Sequence, residues 1–282
     1  MSRKKRKQAF HGWSTSEAPA SDARDETRRS GRWWKIAIAG AFAVALSVAA
    51  LFVVFLLPGS DEPSGPPRAA IVDQLSLTFP NPDFIERATD TLEQAGYVVD
   101  YYPGEMVTVD FYRELPTHGY DYILLRSHTA QFDNEWRGRS YDEAVLFTSE
   151  PYSPKRYVQE QLELQINQAF AFEGAPRYFS IAANFIESGM QGDFGDATVI
   201  MMGCGGLQTD RTANAFVNKG AGTVIGWDDL VSAQHTDAAT EFLLEKLLVD
   251  EMTPEAAVAH TMAEIGPDPA YLSNLLLHDE ES

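Results

Sequence analysis

The run Ala197-Thr-Val-Ile-Met-Met-Gly-Cys-Gly-Gly206 constrains the fold more than any other stretch. Thr198 to Met202 is short, unbroken and β-prone, the pattern of a strand covered on both faces. It stops at Cys204, the only cysteine of the chain, with Gly203 and Gly205 on either side. Glycines there let the backbone turn sharply and come close to a bound group. A helix is expected next, with Thr209 or Asp210 as its cap and Ala213, Phe216 and Val217 on its apolar face. Lys219-Gly220 ends it, and Thr223 to Trp227 reads as the following strand. A cysteine at the carboxyl end of a central strand stands where open α/β sheets place their ligands.

The preceding chain alternates in the same way. Ala69 to Asp73 is a first strand. Asn81 caps a helix with Pro82 at its first position, Phe84, Ile85, Ala88, Leu92 and Ala95 form its inner face, and Gly96 stops it. Tyr97 to Tyr102 is a second strand, Thr108 to Leu115 a short helix closed by Pro116, and Tyr120 to Arg126 a third strand running into His128. This order implies an α/β fold, a mostly parallel sheet with helices on both faces. Residues 130–178 break the rhythm: Glu143 to Glu150 and Arg156 to Phe172 read as hairpin or extended material that could wall a cleft. Ser180 to Glu187 is expected as a helix. After Trp227 a long helix buries Phe242, Leu243, Leu247 and Leu248, and Thr253-Pro-Glu255 starts a last one.

Charge divides the chain. Residues 1–35 hold ten Lys/Arg against four Asp/Glu, a net of +6; the remainder holds 22 − 10 = 12 basic and 41 − 4 = 37 acidic residues, a net of −25. The basic head, opening on Arg3-Lys-Lys-Arg-Lys7, lacks apolar periodicity and is expected to be disordered. Ile36 to Leu57 carries no charge over 22 residues. As a helix it spans about 33 Å, enough for a ~30 Å hydrocarbon core. A run this long after so long a polar head fits a retained anchor better than a cleaved signal peptide. Basic residues before it and Asp61-Glu62 after it leave the N-terminus in the cytoplasm and the rest outside. Residues 58–67 form a Pro/Gly/Ser linker, and 68–282 have the size of one α/β domain. An acidic surface argues against nucleic-acid partners, whose phosphates it repels, and suits a basic substrate; solubility alone also accounts for most of its charge.

His128 and Cys204 stand at the ends of two expected parallel strands. An imidazole beside a thiol can take its proton and give a nucleophile, and backbone N–H groups around Gly203 and Gly205 could hold the oxyanion that attack creates. By residue type alone, an inert buried thiol is the more common use of a lone cysteine. A zinc site of Cys204, His128 and His235 lacks a short-spaced ligand pair, so no metal or other cofactor is expected. Gly203-Cys-Gly205 has Gln208 where a dinucleotide fingerprint needs its third glycine.

Cys204-Gly-Gly206, Ala221-Gly-Thr-Val-Ile-Gly-Trp-Asp-Asp229 and Val109-Asp-Phe-Tyr-Arg-Glu-Leu-Pro116 with Tyr120-Asp-Tyr-Ile resemble caspase-like cysteine peptidases, most closely the CHAT-domain branch related to separase. The resemblance covers residues 69–265. Two positions depart from it: His128-Thr129 replaces His-Gly, and Met202-Gly203 precedes the cysteine where the family has Gln-Ala. The resemblance implies a cysteine endopeptidase acting on proteins or peptides through a His128–Cys204 dyad and a thioester, and the Ile36–Leu57 run would anchor it to a membrane. It also implies specificity loops after the first strand and after the Trp227 strand. Acidic side chains there, Asp73 and Asp228, would favour a basic residue before the cleaved bond; Asp228 serves equally as a helix cap. The alternative is an inactive caspase fold acting as a tethered binding or sensor module.

Overall fold

The computed structural model describes residues 65–136 and 139–278. The basic head, the Ile36–Leu57 run and most of the linker lie outside them. Among the described residues no helix is long and apolar enough to cross a membrane.

The main sheet has six strands in the order β10-β9-β8-β3-β1-β2. They are Arg68–Asp73 (β1), Val98–Pro103 (β2), Tyr122–Arg126 (β3), Thr198–Met201 (β8), Thr223–Trp227 (β9) and Leu275–Leu277 (β10). The first five run parallel and β10 is antiparallel to β9. Strict alternation sends side chains to two cores. Ala70, Val72, Ile123, Leu125, Val199 and Met201 face one, while Ala69, Ile71, Leu124, Ile200, Ile225 and Trp227 face the other.

Helices cover both faces, as expected. Pro82–Gln94 (α1), Ala233–Leu244 (α5) and Pro254–Glu264 (α6) supply Phe84, Leu92, Leu243 and Val258 to the second core. Val109–Glu114 (α2) and Asp210–Asn218 (α4) supply Val109, Tyr112, Ala213 and Phe216 to the first. Three helices start where their caps dictate. The side chains of Asn81, Thr108 and Thr253 accept from the backbone N–H of Phe84, Phe111 and Ala256, and Pro82 and Pro254 open their helices.

The excursion forms a second, antiparallel sheet in the order β4-β5-β7-β6: Thr129–Trp136, Arg139–Pro151, Tyr178–Ile181 and Ile166–Ala169. One short helix, Val158–Leu162 (α3), interrupts the segment expected to be extended. The helix expected over Ser180–Glu187 begins later. Ser180 and Ile181 are strand, paired with Phe147 and Leu146, and a π-helical turn occupies Phe185–Gly189. Cross-strand pairing overrides the local apolar spacing there. Leu146, Ile166, Phe179 and Ile181 pack into the first core, so this sheet is a wall of the domain.

The connection after β1 runs one way across the sheet, to β2 through α1, and the connections after β3 run the other way, to β8 and β9. The strand order therefore reverses between β1 and β3, and the crevice at their carboxyl ends is the preferred ligand position of such a sheet.

Candidate active site

Register brings the two candidate residues level. Leu125 of β3 pairs with Met201 of β8, and His128 and Cys204 each stand three positions further on (128 − 125 and 204 − 201). The two turns touch. The Thr129 hydroxyl donates to Cys204 O and so ties the histidine turn to the cysteine turn. A Cβ at Gly203 would collide with Ser127 O and the Thr129 side chain, which explains the glycine there. Gly205 has φ +59°, and Gln131 on β4 donates to its carbonyl at 2.8 Å, closing the wall over the turn.

Both side chains are half-buried. Burial lowers the pKa of His128, so the ring is neutral at pH 7. Burial pushes the Cys204 thiol up, and the Asp229 and Asp268 carboxylates add to that against the Val231 N–H. The resting pair is thus thiol and imidazole, and a proton must move as the sulfur attacks. The sulfur rests against the Val231 backbone, donating to its O and accepting from its N–H, each at 3.5 Å. Among the described hydrogen bonds none joins the sulfur to the imidazole. Such contacts are commonly formed only with substrate bound.

Gly205, expected as an oxyanion donor, is not free to be one: its N–H donates to Asp229 O at 2.8 Å. Among the described hydrogen bonds the N–H groups of Gly203 and Cys204 have no acceptor, and they remain as the local donors. Asp73, expected as a substrate-binding carboxylate, is instead buried and 1 % exposed. Its Oδ1 accepts from Arg126 Nη1 at 2.6 Å and its Oδ2 from the Tyr101 hydroxyl at 3.1 Å. Asp228 is half-buried and accepts from both Asn274 N and Asn274 Nδ2, so it ties the β9 loop to the approach to β10 and caps no helix. The acid exposed beside the thiol is its neighbour Asp229. His235 lies against the Trp227 ring and the Gly266 carbonyl. Among the described residues no group of three or more His, Cys, Asp or Glu could hold a metal ion.

Residues the sequence reading passed over frame the pair. Arg126 is fully buried and grips Asp237 with Nε and Nη2 at 2.7 and 2.8 Å, Asp73 with Nη1, and Phe79 O with Nη2. Asn81 adds a bond to Asp237. Gln74 accepts from His128 N at 3.0 Å. On the cysteine side, burial works against the charge of Asp268, yet bonds from Ser232 N, Ser232 Oγ, Ala270 N and Tyr271 N outweigh it and pull the carboxyl down to about 2. Asp268 thereby fixes the loop whose Val231 backbone holds the sulfur. One signal was available for Arg126: a cation closing an otherwise apolar buried strand demands buried partners.

Compared with models of protein families and with curated proteins, the chain finds no match in either.

Proposed function

We propose that the chain is a membrane-anchored cysteine endopeptidase of caspase-like architecture. The observation that carries this reading is the level placement of His128 and Cys204 at the carboxyl ends of adjacent parallel strands, beside the switch point of the sheet. The thiol proton passes to His128 as the sulfur attacks the peptide carbonyl. The tetrahedral oxyanion takes a hydrogen bond from the Cys204 N–H. Its collapse expels the amine, which receives the proton from the imidazolium, and water then hydrolyses the thioester.

A peptidyl electrophile tests this on the full-length chain, where Cys204 is the only thiol. Covalent labelling at Cys204 that depends on His128 is expected. A second reading, the tethered binding module, draws on the contacts of the sulfur with Val231. It predicts no peptide-dependent labelling, so the same experiment separates the two.

Specificity is for a basic residue before the cleaved bond, read by Asp229 on the exposed lip with Asp228 holding the loop. An exposed ion pair contributes only about 0.2–1 kcal/mol. Asp229→Asn therefore lowers efficiency on Arg substrates by no more than roughly five-fold and leaves neutral substrates unchanged. Steady-state kinetics on a matched Arg/Leu peptide pair decides it, and equal loss on both removes Asp229 from recognition.

The domain after Arg68 lies outside the cytoplasm. Protease added to intact cells digests it and leaves an N-terminal tag protected; survival of the domain refutes this orientation.

A further inference from the structure

His128 is held on three sides by named groups. Its ring lies edge-on to Phe79, centroids 5.9 Å apart, and against Phe147 at 5.6 Å. Its Nε2 is 3.0 Å from the Thr78 hydroxyl. The segment carrying Thr78 is fixed at both ends, through Gln74, which accepts from His128 N, and through Phe79 O, which accepts from buried Arg126. Among the described residues Nδ1 has no hydrogen-bond partner, so the two ring nitrogens stand in different environments.

We propose that Thr78 is a positioning residue that sets the tautomer of His128, holding the proton on Nε2 so that Nδ1 carries the lone pair that takes the Cys204 proton. This rests on the peptidase reading: the structure places the Thr78 hydroxyl on Nε2, and the need for a free lone pair on the base sets which of the two donates. A neutral imidazole has one N–H and one lone pair, and the hydrogen bond made at one nitrogen decides which atom is the base. With Thr78 accepting from Nε2–H, the same bond serves the neutral ring and the imidazolium formed after proton transfer. Were Thr78 to donate instead, Nε2 would lose its lone pair to that bond, Nδ1 would carry the hydrogen, and no base would remain. A hydroxyl can take either role; only acceptance is compatible with catalysis. Loss of the hydroxyl lets both tautomers populate and removes a bond to the developing cation.

The test uses the full-length chain labelled with ¹⁵N-histidine; it has six histidines, and His128→Gln assigns the signal. The ring ¹⁵N shifts of the wild type are expected to report the Nε2–H tautomer, Thr78→Val a mixture, and Thr78→Ser the wild-type state. In parallel, inactivation by the peptidyl electrophile should slow about ten-fold or more in its maximal rate for Thr78→Val, with half-saturation unchanged and Thr78→Ser near wild type. An Nδ1–H tautomer in the wild type, or the same tautomer and rate in Thr78→Val, overturns the proposal. If iodoacetamide alkylates Cys204 but the peptidyl probe does not label it, the peptidase reading falls, and the ¹⁵N shifts still decide the role of Thr78.

Discussion

If the chain is the proposed peptidase, Cys204→Ala and His128→Ala are each expected to lower turnover roughly 10³- to 10⁶-fold, the scale on which one member of a coupled nucleophile–base pair is lost. Without the sulfur no thioester forms. Without the imidazole the thiol, which burial keeps protonated, has no acceptor for its proton. The double variant should be hardly slower than either single one, because the two act on one step. The fold should survive. Removing a half-buried sulfur deletes two weak contacts to Val231, and His128 loses one hydrogen bond and two ring contacts. Circular dichroism on each variant checks this beside the kinetics. Undiminished hydrolysis by folded Cys204→Ala would move the nucleophile elsewhere and end the peptidase reading as stated.

Most of the main sheet was legible because its signals are local. β1, β3, β8 and β9 are short apolar runs bounded by Gly, Asp or polar turns, and Asn81-Pro82 and Thr253-Pro254 mark helix starts within one or two residues. That His128 and Cys204 end neighbouring parallel strands followed from the order of elements; that they stand level depends on the register of Leu125 against Met201, which the order does not encode. The second sheet was only half visible. Its strands are specified by pairing across the excursion, as Leu146 with Ile181, and α3 has no side-chain cap to announce it. β10 is three leucines near the end of the described chain, too short for any period. The groups around the dyad were hidden for another reason. Arg126 meets Asp237, 111 positions away, and Ser232 meets Asp268, 36 away; nothing in local spacing encodes such pairs. Asp73 was misread on that account: an acid at a strand end beside a cleft reads as available until its cation is found.

Arg126→Met should be strongly destabilising. It leaves the Asp73 and Asp237 carboxylates, 1 % and 3 % exposed, facing each other without their cation. Breaking a buried pair from one side costs about 3–5 kcal/mol. For a domain of this size each kcal/mol moves the melting midpoint by about 2–4 °C, so a fall of roughly 6–20 °C is expected. Arg126→Lys restores the charge but not the fork on Asp237, and should fall between. The pH dependence carries the cause. Burial already raises the pKa of Asp73, with Arg126 as the chief opposing influence. Without Arg126 that value rises further. A carboxyl whose folded pKa exceeds its unfolded one stabilises below the unfolded value, and that contribution is lost as pH rises through the folded value. The gap between Arg126→Met and wild type should therefore be small near pH 4 and widen towards pH 8. A cavity effect would leave the gap constant. Calorimetry across that range distinguishes the two, and a flat gap would mean that the paired charge is not what Arg126 contributes. Activity should fall along with stability, because Arg126 also holds Phe79 O and through it the segment that seats Thr78 on His128.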